Sequence, residues 1–321
     1  MPNIVTLGET MALIRSNSAG HQGSRSQMTL GFGGAESNLS VALTRLGNHV
    51  TWFSQLGADA FGRMIATELR GEGIDVRAKT IDDAPTGLMV KTSGLAGTQD
   101  VTYYRKDSAA ARISDSDIPE NLFAGADLFH TSGITLAISK SARETCLVAL
   151  KKAQQEQVRI SFDINHRTRL WSQEEAAPYY RQAFSYADVV FAGRAEAALV
   201  TDLDPQSDPQ DLLAALQNLT KGYVVLKEGE EGSWTLLNNE LIHVPAIPIT
   251  AVDTVGAGDG FAAGFIDAFL KSETLDLASC LEAGNRVGAF ACLNSGDWEG
   301  YPTPEQLRLI DAPAGIEIVS R

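Results

Sequence analysis

Short apolar runs alternate along most of this chain with longer segments in which apolar residues recur every three or four positions. Period two predicts strands and period 3.6 predicts helices. Residues 4–8 read as a first strand, 35–46 as a helix, 50–56 as a strand and 60–70 as a helix. The same rhythm returns at 128–131 with 140–155, at 159–163 with 174–185, and at 189–192 with 196–201. Strands and helices alternating in this way predict an α/β fold, a mostly parallel sheet with helices on both faces. Between about 80 and 108 the rhythm breaks, and the alternating stretches 87–92 and 100–106, joined by Ser93-Gly94-Leu95-Ala96-Gly97, predict a β-hairpin. Another β-like piece, 27–32, precedes the first helix. Strands inserted at about 10–32 and 80–108 are expected to form a lid over the crevice at the C-terminal ends of the parallel strands. Short strands at 223–227, 234–237 and 241–244 and small-residue-rich helices at 257–271 and 275–293 complete the pattern. With no repeat, low-complexity tract or linker in view, one domain spanning 1–321 is expected.

Charge narrows the partners. The formal net charge of −14 lacks the positive footprint that nucleic acid or an anionic membrane surface requires. No apolar run approaches the roughly 18 residues of a membrane span, and residues 1–10 lack a basic leader pattern. Cys146, Cys280 and Cys292 show no C-x-x-C spacing and fall on expected helices, so buried reduced thiols and a cytoplasmic location are expected.

The chemistry concentrates in residues 251–265, AVDTVGAGDGFAAGF. Gly256 and Gly258 permit a tight turn that exposes backbone amides, and the helix opening there adds its unpaired N-terminal donors and positive dipole end. Such a cradle attracts phosphate. An Asp inside it is electrostatically odd as a mere anion holder, so Asp259 reads as a base that removes a proton from the group attacking that phosphate. The structural alternative is an Asp at a helix start followed by small residues that pack closely. The chain contains no G-x-x-x-x-G-K-[ST], and Phe261 stands where a dinucleotide fingerprint needs its third Gly. Asp253-Thr254-x-Gly-Ala-Gly-Asp-x-Phe-x-x-Gly resembles the signature of the ribokinase-like (PfkB) carbohydrate kinases. The resemblance implies a three-layer ribokinase-like sandwich with a small β lid, Asp259 as catalytic base, and Gly256, Ala257 and Gly258 as the anion hole.

Two further segments support and refine the resemblance. Gly33-Gly34 opens a helix that carries Asn38, whose amide both donates and accepts, and the segment resembles the family's sugar-contacting N-terminal signature. Tyr103-Tyr104-Arg105 closes the expected hairpin, with Tyr103 and Arg105 on one face of the strand and Tyr104 on the other. The stretch 161–171, SFDINHRTRLW, leaves a buried strand at the end where open α/β sheets bind ligands. Arg105 and Arg167 are thus candidates for gripping a carboxylate, although a solvated Arg beside packing tyrosines is the plainer reading of the hairpin. Asp-x-Asn-x-Arg-x-x-Leu-Trp with Tyr-Tyr-Arg resembles the 2-keto-3-deoxygluconate kinase branch of the family. By that resemblance Tyr104, Arg105 and Arg167 contact a sugar acid, with Gly33, Gly34 and Asn38 near its hydroxyls.

For the nucleotide, Lys227, Gly229 and Gly232 resemble the family's Lys-x-Gly-x-x-Gly turn, which could equally be a plain β-turn, and Asn285 is placed near the adenine by resemblance. Gly193-Arg194-Ala195-Glu196 resembles the family's Asn-x-x-Glu element, which helps place Mg²⁺ and phosphates through water; Glu196 is kept, but Gly193 replaces the Asn. Asp253 either helps bind a monovalent cation such as K⁺ or braces the loop. The expectation is therefore an ATP- and Mg²⁺-dependent sugar-acid kinase acting on the terminal 6-hydroxyl of 2-keto-3-deoxy-D-gluconate, oligomeric through its lid. Fructokinase or another PfkB sugar kinase is the nearest alternative, and a catalytically silent sugar-acid sensor a third.

Overall fold

A computed structural model of the chain describes residues 1–94 and 99–308. Its first third runs β1 (Asn3–Leu7), β2 (Met11–Ala19), β3 (Met28–Gly33), α1 (Ala35–Arg45), β4 (His49–Gly57), α2 (Ala60–Gly71), β5 (Asp75–Ile81), β6 (Leu88–Ser93) and β7 (Gln99–Tyr104). The middle contains β8 (Leu128–Ser132), α3 (Gly133–Ala137), α4 (Lys140–Gln155), β9 (Arg159–Asp163), α5 (Gln173–Phe184), β10 (Val189–Gly193), α6 (Arg194–Thr201) and α7 (Pro209–Gln217). The rest comprises β11 (Tyr223–Lys227), β12 (Ser233–Leu237), β13 (Glu240–Val244), α8 (Ala257–Lys271), α9 (Leu277–Ala291) and α10 (Pro304–Leu307). Every strand and helix expected from the pattern is present, with ends shifted by a residue or two. The expected turn residues 95–97 lie outside the described residues.

Nine strands form the main sheet in the order β13-β12-β11-β10-β9-β8-β1-β4-β5, parallel from β11 to β5 and antiparallel at β12 and β13. Successive residues of each inner strand serve opposite cores. Val190 and Ala192 pack with α4 to α7 on one face, while Val189 and Phe191 pack with α1, α2, α8 and α9 on the other. Burial on both faces is why these strands read as continuous apolar runs rather than alternating ones. Each fully buried Leu, Ile or Phe contributes about 1.5–3 kcal/mol. The chain proceeds from β1 outward to β4 and β5, then returns through β8 to β11 on the other side, so strand order reverses beside β1. That switch point opens a crevice at the C-terminal strand ends.

A separate small sheet has the order β3-β2-β6-β7, with β2 and β6 parallel and the outer pairs antiparallel. In its register Gly31, Leu13, Met89 and Tyr103 align across the strands, and Phe32, Ala12, Leu88 and Tyr104 align beside them. The two sets point to opposite faces. Sequence pattern alone did not single out β5, which is only half-buried at the sheet edge, or α7, which starts at Pro209 after the Asp208 cap.

Candidate active site

The cradle starts at Gly256, which caps α8 in the left-handed region at φ 76°. A Cβ there would lie 2.0 Å from the Asp297 carbonyl oxygen, so both conformation and space require glycine. Tyr301 donates its hydroxyl to the Gly256 carbonyl at 2.9 Å and fixes the turn. The Gly260 amide bonds back to Gly256, whereas the amides of Gly258 and Asp259 meet no acceptor among the described residues. These are the orphan donors of a 15-residue helix, and such donors suit an anion.

Asp259 borders a cavity of about 440 Å³ together with Gly34, Asn38, Tyr103, Arg105, Arg167 and Gly256. Asn38, from α1, donates its amide to Asp259 Oδ2 at 2.8 Å, and its Oδ1 faces the Gly34 amide at 3.4 Å. Burial pushes the Asp259 carboxyl up; the Asn38 bond, Lys227 and Arg167 pull it down, Asp163 raises it further, and the result is about 7. A base poised near neutrality is well matched to taking a hydroxyl proton. We predict that kcat/KM rises with pH toward a plateau above about 7, with unit slope below it, since the protonated carboxyl cannot accept a proton. A flat profile from acid to neutral pH would exclude Asp259 as the base.

Asp163, Gly193 and Lys227 end three neighbouring strands beside the cradle. Lys227 donates to Asp163 Oδ2 at 2.7 Å, leaving Asp163 Oδ1 buried without a partner. Burial opposes the Lys227 charge, but Asp163 and Glu196 more than compensate and hold its pKa above the ordinary lysine value. Glu196 accepts the Gly193 amide and the His166 amide, each at 2.7 Å. It therefore ties the β9 and β10 exits together by backbone alone, although Gly193 offers no side chain. Burial first, then Asp163, raises its pKa, while Lys227 and the two amides counteract them.

Beyond β9 the chain turns at Asn165, a non-glycine residue at φ 39°, and this turn carries His166 to Leu170 along the cavity. Arg167 is exposed there, and its side chain forms no ion pair or hydrogen bond among the described residues. Arg105 differs. Its guanidinium pairs with Glu9, with Nε donating to Oε2 at 2.7 Å, and Ser108 donates to the other Glu9 oxygen. Its charge is thus neutralised before any substrate arrives.

The family model described as pfkB family carbohydrate kinase matches residues 1–304. The chain belongs to the PfkB carbohydrate kinases. It is 34% identical over 307 residues to a 2-dehydro-3-deoxygluconokinase from Bacillus subtilis (strain 168), covering 94% of this chain and 93% of that one. It is 30% identical over 287 residues to a fructokinase-1 from Zea mays, covering 87% and 88% respectively. An uncharacterized sugar kinase from Pyrococcus horikoshii, solved in complex with ATP, superposes with a TM-score of 0.82 at 26% identity over 96% of this chain and 99% of that one. The protein is a phosphotransferase acting on a sugar hydroxyl.

Within this PfkB kinase, not every expected site residue lines the cavity. Tyr104 points away from the cavity and is 62% exposed; Tyr103 lines it instead, with Arg105 over its ring, because successive strand residues face opposite ways. Gly33 abuts protein rather than cavity, since a Cβ there would meet Asp297 Oδ2 at 2.3 Å and Met89 at 2.6 Å. Asn285 is buried, and its amide donates to the Val244 and Pro245 carbonyls, bracing α9 against the end of β13. Gly229 and Gly232 bracket a single 3₁₀ turn at φ 54° and 94°. Asp253 is paired with Lys91 at 2.9 Å. Glu9, Lys91, Asp163 and Asp297 escaped sequence reasoning; Asp163 alone carried a signal, as the first Asp of the Asp-x-Asn-x-Arg element.

Proposed function

We propose that this PfkB kinase transfers the γ-phosphoryl group of ATP to the terminal 6-hydroxyl of 2-keto-3-deoxy-D-gluconate. The observation that carries the substrate is Arg167, an unpaired guanidinium on the same cavity as Asp259 in a strongly acidic chain. A guanidinium free of partners suits a carboxylate and is superfluous for a neutral sugar. The similarity to the Bacillus subtilis 2-dehydro-3-deoxygluconokinase supports the same reading.

Asp259 takes the hydroxyl proton, the sugar oxygen bonds to the γ-phosphorus, and the bond to ADP breaks. The Gly258 and Asp259 amides offset charge on the moving phosphoryl group. Lys227 lies against this end of the cradle, 3.7 Å from where a Gly258 Cβ would stand, and with the 229–232 turn it borders the proposed nucleotide side. Asp163, through its unpartnered buried oxygen, and Glu196 are the residues that would hold Mg²⁺ through water, which neutralises triphosphate charge.

The small sheet serves as a lid on one kinase domain. Its inner face contributes Met11, Met89, Val101 and Tyr103 to the cavity. Its outer face exposes Met28 at 39%, Leu30 at 52% and Tyr104 at 62%, an apolar surface that supports oligomerisation through the lid with a second copy. Leu30→Glu should shift the sedimenting species to monomer, and an unchanged oligomer would reject this interface. Three buried free thiols, Cys146, Cys280 and Cys292, support a cytoplasmic setting, and no described helix is long and apolar enough to cross a membrane.

Fructokinase activity is the second reading, favoured by the Zea mays relative and by the neutralisation of Arg105. An ADP-release assay across sugar acids and neutral sugars decides between them. Dominant turnover of 2-keto-3-deoxy-D-gluconate supports the proposal; dominant turnover of fructose or ribose overturns its substrate and leaves the kinase intact.

A further inference from the structure

Lys91 is the least expected charge in the molecule. It lies on β6 of the small sheet, in register with Arg15 of β2 and Val101 of β7, on the face directed at the cavity. Its side chain is only 4% exposed and donates to Asp253 Oδ2 at 2.9 Å, where the Asp253 side chain is 6% exposed. The other Asp253 oxygen accepts the Val255 amide at 3.2 Å, one residue before Gly256. The amides of Val252 and Asp253 both donate to the Cys292 carbonyl, which ties this loop to the end of α9. Asp297, in the loop beyond α9, is also buried and feels the Lys91 charge as its largest relief from burial. It abuts both Gly33 and the turn at Gly256.

Two buried carboxylates beside an anion-binding turn need a cation within reach, because an unpaired buried charge is costly and its repulsion would act on the incoming phosphate. At Asp253 the positive charge is already in place, since the Lys91 ammonium sits on one carboxylate oxygen and the Val255 amide on the other. We propose that Lys91 is a tethered internal cation for the cradle: it neutralises Asp253 and offsets part of the charge of nearby Asp297, positions the Gly256 turn from the lid, and makes phosphoryl transfer independent of added K⁺.

Lys91 touches neither Asp259 nor a substrate-facing amide, so it is a positioning residue. Because it reaches the cradle from the small sheet, the pair also couples the position of that sheet to the geometry of the anion hole. A soluble ion could not provide such coupling.

The inference rests on the kinase assignment and not on the identity of the sugar. The test uses 2-keto-3-deoxy-D-gluconate, or whichever sugar the ADP-release panel identifies, so a wrong substrate is seen before any cation is varied. The wild-type enzyme should turn over equally in potassium and in tetramethylammonium salts at matched ionic strength. Lys91→Met should lose kcat by about 10²-fold, the scale of a misplaced catalytic array, with little change in the KM for sugar. Potassium or ammonium should restore part of that loss, and Lys91→Arg should retain most of the activity. Strong activation of the wild type by potassium overturns the proposal. So does a Lys91→Met enzyme with normal kcat in tetramethylammonium, or a loss that no cation relieves. If Lys91→Met fails to fold, the wild-type cation comparison and Lys91→Arg still decide.

Discussion

Asp259→Asn should bind sugar and nucleotide yet turn over about 10² to 10⁴ times more slowly, the range expected for loss of a positioned general base. The substitution is nearly isosteric, and the 2.8 Å contact with Asn38 can persist in amide form, so the cradle and its free Gly258 and Asp259 amides stay in place. A fall in kcat with nearly unchanged KM is therefore the expected signature, because the lost interaction acts in the transition state. Single-turnover rates measured with saturating ATP isolate that step. Turnover within a few-fold of wild type would remove Asp259 from the mechanism. The same variant has an opposite effect on stability. The folded pKa of about 7 lies above the ordinary 3.8, so the folded state binds more protons than the unfolded state between those values. Stability then falls as pH rises through that window, and above about 7 the full cost of the ionised carboxylate is present. Asp259→Asn removes the cost and should raise the Tm at pH 8, with little effect at pH 4.

Arg167→Ala should reduce kcat/KM for 2-keto-3-deoxy-D-gluconate by about 10- to 150-fold, the equivalent of losing one charge-assisted contact of about 1.5–3 kcal/mol. It should leave the rate with fructose nearly unchanged. The Arg167 side chain is exposed and forms no ion pair or hydrogen bond among the described residues, so truncation leaves no buried charge behind. Arg105→Ala is a poorer probe of the same question. It would strand the buried Glu9 carboxylate, and breaking such a pair typically costs about 3–5 kcal/mol of stability. Equal losses on acid and neutral sugars in Arg167→Ala would show that Arg167 shapes the cavity without reading a carboxylate.

Sequence and structure divide the credit in a regular way. Elements buried on both faces, such as β9 to β11, were legible because burial demands uninterrupted apolar runs whatever their neighbours. The half-buried edge strand β5 and the helix α7 were not singled out, since weak burial leaves a weak pattern. In the site, Gly256, Gly258 and Asp259 were readable because a tight turn, exposed amides and an included carboxylate restrict residue types locally.

By itself the sequence determined the parallel α/β architecture, the anion cradle with Asp259 inside it, and the pattern that marks a PfkB kinase. Only the tertiary structure decided which charges remain free. Glu9 neutralises Arg105 across 96 residues, Lys91 occupies Asp253 across 162, and Asn38 reaches Asp259 across 221. Ion pairs and hydrogen bonds depend on distance in space, which local patterns do not encode. Thus the chain announces its arginines and aspartates, but only the fold leaves the Arg167 side chain unpaired and sets Lys91 against Asp253.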